Sequence, residues 1–197
     1  MDQRLFGIAP LLHEGVAARL IYALKYMHIR AAAEPLAQSM LDVLPEGFDA
    51  LVPVPLYHKR EQTRGYNQAA VLCDELSRLS GRPVLNALNR TRATHQQMRL
   101  AADKRKANVK DAFEAIMPVN GKRLVVVDDV RTTGATALAC ADALYLGGAV
   151  ETRLLTATLA IMGDSSDHRY ETKDAVVERT TTSATRFDIH GLAAPLY

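Results

Sequence analysis

Leu124 to Thr136 reads LVVVDDVRTTGAT, an apolar β-branched run that ends in two acids, an arginine, paired threonines and a glycine. Leu124, Val125, Val126 and Val127 present apolar side chains to both faces of a strand. That suits the interior of a parallel sheet covered by helices on both sides. Ligands of such sheets lie beyond the carboxyl ends of the strands, which is where Asp128 and Asp129 stand. Adjacent carboxylates repel each other and are costly to bury without partners, so they are expected to meet water, a sugar hydroxyl pair or a hydrated metal ion.

The next six residues, Arg131, Thr132, Thr133, Gly134, Ala135 and Thr136, join this strand to a helix. Backbone N–H groups, the positive end of the helix dipole and threonine hydroxyls can converge there on a phosphate, with Gly134 allowing close approach. A phosphate set directly against the two acids would be repelled. A ribose between them removes the conflict, with its diol on the acids and its 5′-phosphate in the loop. The competing readings explain less. No G-x-x-x-x-G-K-[ST] occurs in the chain, which argues against a P-loop nucleotidase. Val130 stands where an Asp-x-Asp phosphatase needs its second acid. A capped helix after a buried strand accounts for Thr132 or Thr133 but not for the paired acids.

Outward from this stretch, strands and helices alternate, which predicts an α/β domain around a mostly parallel sheet. VAARLIYALKY (Val16 to Tyr26) is an amphipathic helix with Val16, Leu20, Ile21 and Leu24 on one face. AAAEPLAQSMLDVL predicts a second helix with Pro35 in its first turn. DALVPV (Asp49 to Val54) reads as a strand, and LYHKREQTRGYNQ as its polar, basic exit loop. A helix then runs from Asn67 towards Gly81, and PVLNALNRT suggests a short strand. RTRATHQQMRLAADKRKANVK reads as a long mobile loop entering a helix; Thr136 to Leu146 forms another helix, and VETRLLTATLA another strand. After Met162 the chain turns polar and rich in Thr and Ser, as an extended tail, a hairpin or a partner-docking arm. The expected division is therefore 1–48 as an N-terminal helical hood, 49–162 as the α/β core and 163–197 as a C-terminal extension.

The chain has 197 residues, 48% of them hydrophobic, enough for a full core. Its net charge of +2 does not by itself imply a nucleic-acid partner, so local clustering matters more. Between positions 90 and 110, Arg90, Arg92, Arg99, Lys104, Arg105, Lys106 and Lys110 stand against Asp103 alone. Cys73 and Cys140 lie far apart within helical segments and are expected to be reduced and buried. No apolar run is long enough to span a bilayer and no signal peptide is evident, which gives a cytoplasmic expectation. The six histidines form no metal-ligand pair, so no protein-held metal site is expected.

VVVDDVRTTGAT resembles the phosphoribosyl-diphosphate (PRPP) signature of type I phosphoribosyltransferases. With ALKY, VPVPLYHKREQTRGYNQA and THQQMRLAADKRKANVKDAF, the chain from about Leu11 to Ala160 resembles the ComF family of competence-associated phosphoribosyltransferase-like proteins. That resemblance implies a type I phosphoribosyltransferase-like fold with PRPP as ligand and Mg²⁺ as cofactor. Transfer of the phosphoribosyl group to an unidentified acceptor would follow, with Asp128 and Asp129 steadying positive charge on the ribose. It further implies that Lys59, Arg60, Arg64 and Asn67 serve the diphosphate. The basic stretch with Arg99, Lys104 and Arg105 would be a hood that closes over PRPP or a track for single-stranded DNA. Tyr57 and Tyr66 could stack on bases, although a tyrosine beside a loop more often packs on its own helix. Many ComF proteins begin with a cysteine-rich zinc module; no cysteine precedes Cys73, so structural zinc is not expected. The non-enzymatic alternative is a module that binds single-stranded DNA or a competence partner. The acceptor and the oligomeric state are not encoded in any residue cluster.

Overall fold

The computed structural model describes residues 4–91, 112–160, 169–172, 175–179 and 185–190. Its largest sheet has the order β3-β6-β7-β1-β10-β9-β8, with β2 (Leu11–Leu12) also pairing with β7. The strands are β1 (Arg4–Ala9), β3 (Ala50–Pro53), β6 (Arg123–Arg131), β7 (Glu151–Leu159), β8 (Arg169–Thr172), β9 (Ala175–Arg179) and β10 (Thr185–His190). β3, β6, β7 and β1 run parallel, and β10, β9 and β8 continue from β1 as an antiparallel meander. β4 (Leu88–Arg90) and β5 (Phe113–Ala115) form a separate antiparallel pair.

The parallel sheet is covered on both faces, as the apolar run in β6 requires. Alternation along a strand sends successive side chains to opposite faces. Leu124 and Val126 enter one buried cluster with Ala137, Cys140 and Leu144 of α5 (Ala135–Leu146). Val125 and Val127 enter the other with Ile21 and Leu24 of α1 (Gly15–Tyr26), Leu36 of α2 (Ala33–Leu41) and Leu72 of α4 (Gln68–Ser80). Both cysteines are free and buried.

Several expectations need correction. VPVP exits not into a loop but into a short helix, α3 (His58–Arg64), closed by Gly65 in the left-handed region at φ 75°. α3 buries none of its residues, so it carried no apolar stripe to read. Val16 is exposed rather than part of the buried face of α1, which rests on Ile21 and Leu24. β1 lies between β7 and β10 within the main sheet, although the first 48 residues read as helical. The polar end of the chain forms strands, which fits the hairpin reading of that segment rather than a bare extended tail. The helix expected after the basic loop, and Arg99, Lys104 and Arg105 with it, lie outside the described residues.

Candidate functional site

β6 extends to Arg131, so Asp128 and Asp129 are strand residues and alternation turns them to opposite faces. Asp129 belongs to the α1 face. Its Oδ1 lies 2.7 Å from Lys25 Nζ, and the two side chains are 10% and 21% exposed, so this pair is shielded from bulk water. Asp128 lies towards α5 and accepts a hydrogen bond from the backbone N–H of Asp129 at 2.9 Å. Burial and then the Asp129 charge push the Asp128 carboxyl up to about 7, against a smaller opposing pull from Lys25. One of the two acids is therefore ion-paired and the other is poised to hold a proton near neutrality.

Around Asp129, His13 Nδ1 lies 2.9 Å from Thr158 Oγ1, whose hydroxyl donates to the Asp129 carbonyl at 3.4 Å. Burial and the Lys25 charge hold the His13 imidazole below its ordinary value, outweighing Asp129. A neutral His13 with its proton on Nδ1 satisfies both bonds. On the Asp128 side, Thr156 is its register partner on β7 and is buried. Arg90 on β4 stacks 5.2 Å from the Phe113 ring; its guanidinium is held below its ordinary value chiefly by burial, then by Arg60, against Asp128.

Gly134 adopts φ 80°, which turns the chain from β6 into α5 at little steric cost. Thr132 is exposed, and Thr133 Oγ1 lies at 3.5 Å from the Ala135 N–H. Ala135 and Thr136 open the first turn of α5. Arg131, by contrast, is buried, with 2% of its surface exposed. The loop that sequence reasoning assigned to a phosphate is thus present as a turn before a helix N-terminus.

Lys59 and Arg60 are exposed on α3. Arg64 is committed to its neighbours: Nη1 donates to Gln68 Oε1 at 2.6 Å, and the guanidinium lies 5.5 Å from the Tyr26 ring. Asn67 caps α4 by accepting from the Ala69 N–H at 3.0 Å, while its Nδ2 donates to the Val54 carbonyl at 2.9 Å. Substituting Asn67 with Ala is expected to cost about 1–2 kcal/mol in urea unfolding, since it removes a cap and a strand-to-helix bond together. Tyr66 is buried, not available for base stacking, and its hydroxyl donates to the Leu24 carbonyl at 2.5 Å. Arg30 lies 4.6 Å from the Tyr66 ring, and His28 meets it edge-on at 6.3 Å. RGYNQ therefore ties α3 and α4 to the end of α1 that carries Lys25.

Sequence reasoning did not single out Lys25, His13 or Thr158 as site residues. Lys25 stood off the apolar face of its helix inside ALKY, and a helix that carries two cations, Arg19 and Lys25, and no acid was the available signal. Among the described residues, no helix is long and apolar enough to cross a membrane.

No family model matches the chain. It is 46% identical over 102 residues to DNA utilization protein YhgH of Escherichia coli K12, covering 51% of this chain and 45% of that protein. It is 45% identical over 97 residues to competence protein F of Haemophilus influenzae, covering 47% and 41%, and 30% identical over 113 residues to competence protein ComFC of Bacillus subtilis, covering 55% and 43%. The chain thus spans less than half the length of these curated relatives. Among solved structures, it is similar to a glutamine PRPP amidotransferase from B. subtilis, with TM-score 0.46, 21% identity and coverage of 65% of this chain and 26% of that one. A purine phosphoribosyltransferase from Pyrococcus horikoshii gives TM-score 0.35 at 18% identity, covering 71% of each chain. By sequence, then, about half of the chain is similar to proteins named for DNA utilization and for competence.

Proposed function

We propose that the chain binds a 5-phosphoribosyl diphosphate at the carboxyl end of β6. The observation that carries this reading is the succession of Asp128 and Asp129, the Gly134 turn and the N-terminus of α5. The acids suit a sugar diol, and the turn with the helix N-terminus suits a 5′-phosphate. Lys59 and Arg60, exposed on the helix that follows β3, support this reading as cations for the diphosphate. Transfer of the phosphoribosyl group would then need an acceptor from solution. The protein's part is to hold the ribose and to stabilise positive charge on it through the Asp128 and Asp129 carboxylates.

The residues do not fit a resident Mg²⁺ cage. Among the described residues no group of three or more His, Cys, Asp or Glu could hold a metal ion, and Asp129 is engaged by Lys25. Mg²⁺ keeps much of its hydration and travels readily with diphosphates. Magnesium in this reading is therefore part of the substrate.

The relatives' names refer to DNA utilization and competence. They support service of this site in that setting; the cytoplasm as its compartment and competence-machinery proteins as partners belong to the proposal itself. The same names support a second reading, single-stranded DNA binding through Arg99, Lys104 and Arg105 without turnover. Calorimetry separates the two. Wild type should bind PRPP with Mg²⁺, and Asp128→Asn with Asp129→Asn should weaken binding at least tenfold. No heat with PRPP, alongside salt-sensitive binding of a labelled oligonucleotide that is lost on replacing those three cations with Ala, would favour the second.

A further inference from the structure

We propose that Lys25 is a positioning residue that exchanges partners: it holds Asp129 in the ligand-free protein and turns to the diphosphate when one arrives, releasing the carboxylate for the sugar diol. This rests on the phosphoribosyl diphosphate reading of the site and adds to it an order in which the two halves of the ligand are recognised.

Three observations lead there. A ribose diol needs both acids, yet Asp129 is already held by an ammonium at 2.7 Å, so a diol cannot engage it at full strength while that pair persists. The Lys25 side chain is 21% exposed and sits on the last turn of α1, where a flexible four-carbon stem can swing without moving the helix. That turn is fastened to the basic helix α3. Tyr66 Oη donates to the Leu24 carbonyl, His28 Nδ1 reaches the Arg64 carbonyl at 3.0 Å, and the Arg64 guanidinium lies over Tyr26. A dianion settling on Lys59 and Arg60 would therefore stand on the element docked against the turn that carries Lys25.

An anion that draws the ammonium away from Asp129 costs one ion pair and gains another. The carboxylate it leaves is then recovered by two hydroxyl donors. Among the described residues, His13 and Asp128 are titratable groups that feel this pair; His13 is engaged by Thr158 and Asp128 accepts from the Asp129 N–H, so each stands beside the exchange without needing to take part.

The consequence is positive coupling between the two halves of the ligand. Inorganic pyrophosphate with Mg²⁺ should tighten ribose 5-phosphate binding to the wild-type protein by at least about fivefold, the lower range of ordinary site coupling. In Lys25→Met that factor should fall to one, and in Lys25→Arg, which keeps a cation there, it should be partly retained. Asp129→Asn supplies an independent arm: with no carboxylate to hold it, Lys25 should bind pyrophosphate more tightly than in wild type, and the coupling should again vanish. Thermal melts establish that each variant is folded. If both probes bind the wild type but show no coupling, or if the Lys25→Met protein couples them as strongly, the exchange is wrong while the phosphoribosyl diphosphate reading stands. If neither probe binds the wild type, that reading itself falls.

Discussion

Truncating Leu24 to Ala is expected to lower the unfolding free energy by about 3 kcal/mol, the middle of the range for a fully buried Leu→Ala change. Leu24 is 0% exposed and belongs to the cluster that joins α1 to Val125, Val127 and Leu155 on the sheet. The methyl groups lost there cannot be replaced by collapse of rigid β-branched neighbours. The effect should reach the site as well. The Leu24 carbonyl receives the Tyr66 hydroxyl and Lys25 is the next residue, so a loosened turn would broaden the position of the ammonium facing Asp129. Val16 on the same helix is 62% exposed, and its replacement by Ala should change stability by no more than about 0.5 kcal/mol. Urea unfolding with unchanged m-values measures both. Equal losses at the two positions would mean that α1 does not pack on the sheet through the face described.

That contrast shows which parts of the fold were legible. β6, α4 and α5 were read correctly because local signals agree with their tertiary setting. The Val run is apolar on both faces, Asn67 caps α4 and Gly81 closes it at φ 72°. α3 was not legible because HKREQTR has no apolar periodicity, and its helix is closed by Gly65 and begun by bonds to the Tyr57 carbonyl. β1 did alternate, with Leu5, Gly7 and Ala9 buried, but Phe6 and Ile8 on its other face are also apolar and blurred the period. At the site, the pairing of two acids with a glycine turn was plain from sequence. Their separation was not, because it depends on β6 continuing to Arg131 in register with β7 out to Leu159. Lys25 was hidden for a different reason: its acid belongs to a distant strand, and only the docking of α1 brings the two together.

The separation of the acids has a measurable consequence in pH. Asp128 has an ordinary value of 3.8 and is raised to about 7 in the folded protein, first by burial and then by Asp129. Between those limits the folded state holds a proton that the unfolded chain has released. The unfolding free energy must therefore fall as pH rises from about 4 to about 7 and level off above it. A shift of this size corresponds to at most about 4 kcal/mol, with the pulls of Lys25 and Arg90 already inside it, so a loss of a few kcal/mol is expected across that range. Asp128→Asn keeps the shape and removes the charge, so it should be more stable than wild type at pH 8, by about that amount, and indistinguishable from it near pH 4. The same variant should lose affinity for the phosphoribosyl ligand at pH 8, because an amide offers one uncharged acceptor oxygen where a carboxylate offers two charged ones. A stabilised protein that has lost its ligand marks a group kept for function at a cost in stability. Chemical unfolding of the two proteins across pH 4 to 8 tests this, and parallel curves would show that Asp128 is already ionised at neutrality in the fold.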